Sequence, residues 1–210
     1  MKKIGITGSI GSGKTYVSRL FNRTIGIPVF YSDDEVKKLY LEDPYVKTEM
    51  INIFGPEAYS FGEVNTKYIA NIIFNNDGYM KRVTELIKGP LLRKFYDWSY
   101  QIEFNSNEPP PFILYESAVM MDRGLFNMFD QILIVDADKE IRKKRVLGRS
   151  GLDVVKFNER DSKQLKSEEI VRILGKSMIP YKVIINEGQD LILLIKSIST
   201  IHGWKKTPLI

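Results

Sequence analysis

Eight residues near the start of the chain, Gly8-Ser9-Ile10-Gly11-Ser12-Gly13-Lys14-Thr15, satisfy the spacing G-x-x-x-x-G-K-[ST]. Backbone amides can wrap a di- or triphosphate only if the chain comes very close to it and visits positive φ, which Gly8, Gly11 and Gly13 permit. Lys3 to Thr7 before the stretch reads as a short buried strand, and Tyr16 to Phe21 after it as the first turns of a helix. A helix opening near Gly13 points its unpaired amides and positive dipole end at the anion. Lys14 then reaches the β- and γ-phosphates, and the Thr15 hydroxyl ligates Mg²⁺. Residues 8 to 16, with Tyr16 at the helix start, are therefore the expected cradle of a nucleotide, with ATP and Mg²⁺ as its ligands.

The elements that must position this cradle follow from the rest of the chain. Ile27 to Tyr31, Phe112 to Tyr115, Gln131 to Val135 and Lys182 to Ile185 read as further strands, separated by helical segments. That alternation predicts an α/β fold, a five-stranded parallel sheet with helices on both faces. Ser32-Asp33-Asp34-Glu35 spells a capping box for a helix opening at Val36. Asp33 thus lies just past a strand's C-terminal end, where such sheets place ligand-contacting groups. Two readings are open: a carboxylate that orients and deprotonates an acceptor hydroxyl or helps hold the metal, or an acid complementing the helix dipole. Glu116, ending the third strand, is either an outer group of the metal site or a polar strand terminus.

From about 42 to 111 the pattern is mainly helical, with breaks expected at Phe54-Gly55-Pro56 and Lys88-Gly89-Pro90. Leu91, Phe95, Trp98 and Ile102 recur at helical spacing and predict a face packed on the core or on a neighbouring helix. Arg142, Arg145 and Arg149 share one face of a basic helix followed by Gly148 and Gly151. Beside a phosphate loop, that segment is read as a lid bringing arginines onto the nucleotide, over a merely solvated face. A last helix is expected over about 190–201.

Composition narrows the class. The 210 residues suit one large domain or a core with insertions, at 43% hydrophobic and 27% charged. No stretch approaches the length of a membrane-spanning helix, and the phosphate loop interrupts any apolar leader after Met1-Lys2-Lys3. Without cysteine there are no disulfides or thiolate metal sites, which suits a reducing cytoplasm. The charge of +5 is too dispersed to argue for nucleic acid. The single histidine, His202, reads as a surface residue, so no histidine-based catalytic or metal site is expected. A monomer or weak homo-oligomer, with no membrane partner, is the expectation.

Several stretches in matching order resemble the dephospho-coenzyme A kinases, P-loop kinases that phosphorylate a ribose 3′-hydroxyl in the last step of coenzyme A synthesis. These are Gly5 to Thr15, Val29 to Asp33, Glu116 to Asp122, Asp130 to Val135, Arg145 to Arg149, Arg160 to Gln164 and Val183 to Gly188. The resemblance implies a single three-layer P-loop kinase domain with a core of about 1–32, 111–141 and 166–210. It further implies a helical coenzyme A region of about 33–110 and a lid of about 142–165. It makes Asp33 the base or orienting group, with Lys14 and Arg149 as its catalytic partners. Arg145 and Arg149 become nucleotide contacts from the lid, and Asn186 and Gly188 the loop beside the adenine. ATP and dephospho-coenzyme A are the implied substrates. The chain departs from the family pattern at Tyr31, where the first acid of D-x-D belongs, and at Gly89, where a histidine precedes proline. It departs again at Ala118-Val119-Met120 and Asp122, in place of proline-leucine-leucine and glutamate. Other readings of the phosphate loop are a nucleoside, nucleotide or shikimate kinase, or a catalytically weak ATP-binding protein. A GTPase switch is disfavoured because no N-K-x-D motif occurs.

Overall fold

The computed structural model describes residues 1–121, 124–150, 153–188, 191–192 and 195. Asp122, Gly151, His202 and most of the expected last helix lie outside the described residues, as does the side chain of Arg149. The chain divides into two compact units, one of Met1–Tyr31 with Ile102–Ile210 and one of Ser32–Gln101.

The larger unit is built on five parallel strands in the order β2-β5-β1-β6-β7. They are β1 (Lys2–Thr7), β2 (Val29–Tyr31), β5 (Phe112–Glu116), β6 (Gln131–Asp136) and β7 (Tyr181–Ile185). β1 is central because its apolar residues, Ile4 and Ile6, are wholly buried between neighbours on both sides. One sheet face carries Ile4, Ile6, Phe112, Leu114, Leu133 and Val135. Helix α1 (Lys14–Ile25) covers that face with Val17, Phe21 and Ile25. Burying each such side chain is worth about 1.5–3 kcal/mol. On the other face, the Tyr115 ring meets Phe30 at 5.4 Å and Phe129 at 5.2 Å. This is the five-stranded parallel sheet expected of an α/β fold. The C-terminal ends of the strands deliver Gly8, Ser32, Ser117, Ala137 and Asn186 to one edge of the sheet, the edge where such folds bind ligands.

Three helices follow β6: α6 (Lys139–Ser150), α7 (Val154–Ser162) and α8 (Ser167–Gly175). The described residues of the segment expected as a lid, about 142–165, fall in α6, α7 and the turn before α8, within the larger unit.

The smaller unit holds α2 (Ser32–Glu42), α3 (Pro44–Phe54), a two-stranded hairpin of β3 (Tyr59–Ser60) and β4 (Glu63–Val64), α4 (Thr66–Asn75) and most of α5 (Asp77–Phe104). Three expectations are corrected here. Helix α2 begins directly on the end of β2, so Ser32 lies inside it and the capping box at Val36 does not form. The Ser32 hydroxyl is buried without a hydrogen-bond partner among the described residues. The run expected to be helical is interrupted by the hairpin, whose turn places Phe61 and Gly62 at φ 51° and 83°. Lys88-Gly89-Pro90 is not a break: α5 continues through Pro90. An interior proline costs about 3 kcal/mol. Ile87, Leu91 and Phe95 are essentially fully buried on that helix, and at about 1.5–3 kcal/mol each they outweigh it. The expected break at Gly55 does form, with φ 88° ending α3.

Candidate active site

The loop between β1 and α1 is shaped so that its amides and carbonyls face different partners. Gly13 is the N-cap of α1 at φ 91°, with no side chain to cap the helix, and Gly11 has φ 80°. Both positions need glycine twice over. A Cβ at Gly11 would sit 2.5 Å from the Arg142 carbonyl oxygen, and one at Gly13 would overlap the Asn186 amide. The loop carbonyls are tied back by donors. The Ile10 oxygen accepts from Arg142 at 3.2 Å, and the Ser12 oxygen accepts from Asn186 at 2.8 Å and Arg145 at 3.4 Å. The amides of Gly11, Gly13, Lys14 and Thr15 have no protein acceptor among the described residues. Partial positive charge is thus concentrated on one side of the loop, as an anion cradle requires.

Two of the three arginines expected in the lid, Arg142 and Arg145, have described side chains, and both bind backbone carbonyls of the loop. Arg142 is buried, donating to the Ala137 and Ile10 carbonyls and pairing with Asp161 at 2.5 Å. Lys166 pairs with the same carboxylate at 2.8 Å and donates to the Asp161 carbonyl. Burial pushes the Asp161 carboxyl up. The hydrogen bonds and charges of Arg142 and Lys166 outweigh that and hold it below the ordinary carboxylate range. Arg145 donates to the Asn186 carbonyl at 2.7 Å as well as to Ser12. Gln164, in the turn between α7 and α8, accepts from the Ile10 amide at 2.6 Å, and Ser9 Oγ donates to the Leu165 carbonyl at 3.3 Å. In the sequence, Arg142 reads as a lid arginine and Arg160 to Gln164 as a stretch of the family resemblance. That Arg142, Asp161 and Gln164 brace the loop from outside is not legible there, because a charged pattern does not distinguish a buried side chain from a solvated one.

At the other end of the loop, Thr15 Oγ1 donates to Glu116 Oε2 at 3.2 Å, and Lys14 Nζ lies 3.9 Å from Glu116 Oε1. Glu116 is buried and faces Tyr31 in register across β5 and β2. Burial pushes the Tyr31 phenol up, Glu116 adds to this, and Arg19 and Arg23 oppose it, so the phenol stays neutral. A hydroxyl with a carboxylate behind it is a hard oxygen donor set, and it fits Mg²⁺.

Beside the loop, a cavity of about 530 Å³ is lined by Gly11, Gly13, Tyr16, Arg145, Asn186, Gly188 and Leu191. Every one of these except Leu191 is a sequence-predicted nucleotide contact, and the volume fits a nucleoside.

Asp33 belongs to the smaller unit, exposed in the first turn of α2. Its neighbours are spent: Asp34 pairs with Lys37 at 2.7 Å, and Glu35 with Lys38 at 2.6 Å and Lys94 at 3.4 Å. Asp33 forms no ion pair among the described residues. Of the three acids it is the one whose carboxylate is not already neutralised.

A family model described as dephospho-CoA kinase matches residues 2–181. The dephospho-CoA kinase of Bacteroides fragilis (strain YCH46) is 33% identical over 187 residues, covering 89% of this chain and 85% of that one. The dephospho-CoA kinase of Porphyromonas gingivalis is 30% identical over 210 residues, covering 99% of this chain and 98% of that one. Among solved structures, TT1252 from Thermus thermophilus superposes with a TM-score of 0.78 at 23% identity, covering 98% of each chain. The dephospho-CoA kinase of Campylobacter jejuni does so with 0.60 at 18%, covering 94% of this chain and 97% of that one. These two likenesses are likenesses of fold.

Proposed function

Because the chain belongs to the dephospho-CoA kinase family, we propose that it transfers the γ-phosphoryl group of ATP to the ribose 3′-hydroxyl of dephospho-coenzyme A, giving coenzyme A and ADP. In this transfer the bond from the β–γ bridging oxygen to the γ-phosphorus breaks and the 3′-oxygen bonds to that phosphorus. The hydroxyl proton leaves to Asp33. The reading is carried by one observation: the loop carbonyls of Ile10 and Ser12 are bound by Arg142, Arg145 and Asn186, leaving the amides before and within α1 for the phosphates.

The transition state is loose, so positioning and electrostatics do most of the work. Residues Gly8 to Tyr16 hold the phosphates, and Lys14 neutralises the charge that spreads over the γ-oxygens. Mg²⁺, held through the Thr15 hydroxyl, adds positive charge at the phosphate oxygens when bound. Arg145, Asn186 and Gly188 hold the nucleoside, and the family resemblance assigns Arg149 to the nucleotide as well. Asp33 orients the acceptor hydroxyl and takes its proton. Tyr31 is a neutral phenol, so Asp33 works without a second carboxylate at that strand end. A chain without cysteine suits the reducing cytoplasm as its compartment, and no helix among the described residues is long and apolar enough to cross a membrane.

The test is ADP release from MgATP against a panel of acceptors. Dephospho-coenzyme A stimulates it, whereas nucleosides, nucleotides and shikimate do not; stimulation by one of those instead overturns the assignment. Asp33→Asn binds ATP as the parent does and loses about 10²–10⁴-fold in turnover. Parental turnover in that variant removes Asp33 from the mechanism.

A further inference from the structure

The connection between α7 and α8 closes on the outer side of the phosphate loop at two adjacent residues, Ser9 and Ile10. Ile10 is held at both its backbone groups: its amide donates to Gln164 Oε1 at 2.6 Å, and its carbonyl accepts from Arg142 at 3.2 Å. Ser9, one residue earlier, donates through its hydroxyl to the Leu165 carbonyl at 3.3 Å. These partners come from 132 to 156 residues away in sequence, so no local turn chemistry dictates them. Gln164 is itself set by a buried charge cluster. Its amide donates to the Asp161 carbonyl at 3.4 Å, and the Asp161 carboxylate is 3% exposed between Arg142 and Lys166.

The direction of the Ile10 peptide matters because of what lies next to it. Gly11 and Gly13 each tolerate a wide range of φ, so the loop between them has little intrinsic preference for one shape. A loop of that kind pays conformational entropy when it closes on an anion, unless an outside group has already fixed it. The amide of Ile10 is withdrawn from the cradle by Gln164, while those of Gly11, Gly13, Lys14 and Thr15 have no protein acceptor among the described residues. The Gln164 bond therefore acts with the carbonyl contacts of Arg142, Arg145 and Asn186 in setting which amides face outward and which face the phosphates.

We propose that Gln164 is a positioning residue for the nucleotide: it pre-organises the phosphate loop by accepting the Ile10 amide, from a turn locked by the Arg142–Asp161–Lys166 cluster. This rests on the reading of the loop as the ATP site. The consequence is that residues 161–166 contribute to ATP affinity without touching ATP.

The test uses the full chain and MgATP alone, titrated calorimetrically without acceptor, for the parent, Gln164→Leu and Gln164→Glu. Leucine keeps the bulk and removes the acceptor; glutamate keeps an acceptor oxygen. Loss of one neutral hydrogen bond predicts a dissociation constant about 3- to 10-fold higher for Gln164→Leu. Gln164→Glu stays within about threefold of the parent. Hydrogen exchange of the peptide containing Ile10, measured without nucleotide, speeds up in Gln164→Leu and not in Gln164→Glu. A merely structural role would not produce that split. Parental affinity in Gln164→Leu, or equal weakening in both variants, overturns the proposal. If Gln164→Leu does not fold, Gln164→Met, which also keeps the bulk and removes the oxygen acceptor, takes its place with the same thresholds. A parent chain that binds no ATP overturns the reading of the site and this inference with it. A parent that binds ATP beside variants that bind equally well overturns the inference alone.

Discussion

The two flanks of the phosphate loop are held in opposite ways. Residues 9 to 12 are gripped by Arg142, Gln164 and Asn186 at 2.6–3.2 Å and by Arg145 at 3.4 Å, from three separate elements, with Arg142 anchored on the buried Asp161 carboxylate. Lys14 and Thr15 meet a single carboxylate, Glu116, at 3.9 and 3.2 Å. The difference follows from what each flank must do. The outer flank only has to keep a shape, so its bonds are permanent and its partners buried. In the proposed reaction the inner flank carries the groups that exchange partners when phosphate and metal arrive, and its contacts are long and few. Strong bonds at Lys14 would have to be broken in every catalytic cycle. A site of this design is rigid where it is geometric and lightly held where it is chemical.

The sharpest way to break that comparison is to remove the chemical cation. Lys14→Met loses about 10²–10³-fold in turnover, the usual cost of deleting a donor aimed at developing charge. Its thermal midpoint falls less than that of Asp161→Asn, because Lys14 Nζ stands 3.9 Å from the buried Glu116 carboxylate whereas Arg142 hydrogen-bonds Asp161 at 2.5 Å. Steady-state kinetics with a thermal melt on the same sample checks both halves. A large fall in midpoint would mean that the inner flank is structural after all.

Next in size is the geometric flank. Asp161→Asn leaves Arg142 with no buried counter-charge and lowers the unfolding free energy by about 3 kcal/mol. Lys166 is one-third exposed, which keeps the loss at the lower end of the range for a buried pair. The pH dependence has a definite sign. The Asp161 carboxyl in the folded chain is held below its ordinary value. Its contribution is therefore complete above the unfolded-state value of about 3.9 and is lost as pH falls through the lower folded value. The parent should lose stability more steeply than Asp161→Asn below about pH 4, by chemical denaturation across pH. Parallel curves would show that the carboxylate is not what Arg142 and Lys166 stabilise.

The same contrast explains what could be read from the chain alone. The inner flank is legible because its chemistry requires particular residues at fixed spacing: the glycines, Lys14 and Thr15 are adjacent in sequence and their environment, strand then helix, is local. The sheet is legible for the same reason, since each strand is a short apolar run. The outer flank is assembled from residues more than a hundred positions apart, and nothing in Lys139 to Arg149 distinguishes a buried arginine from an exposed one. Arg142, one helical turn before Val146, points inward with it, and that choice is made by the packing of α6 on the loop. The turn Phe61-Gly62 and the continuation of α5 through Pro90 escape detection in a similar way. In α5 the burial of Ile87, Leu91 and Phe95 overrides a local helix-breaking signal.

The smallest effect, and the one that discriminates most finely, is at Glu116. Glu116→Gln keeps an oxygen that can accept the Thr15 hydroxyl and removes only the charge beside Lys14. If Glu116 acts by orienting Thr15 toward the metal, the half-saturating Mg²⁺ concentration rises by about tenfold at fixed ATP, the lower end of what groups behind a metal ligand contribute. If it acts instead by restraining Lys14, the KM for ATP changes and the Mg²⁺ dependence does not. Titrating Mg²⁺ at several fixed ATP concentrations separates the two. The geometry favours the first outcome, because the contact to Thr15 is a hydrogen bond at 3.2 Å while that to Lys14, at 3.9 Å, is a charge pair at the limit of contact. A variant shifted in neither quantity would leave Glu116 as the polar end of β5 and make the inner flank looser than its two contacts suggest.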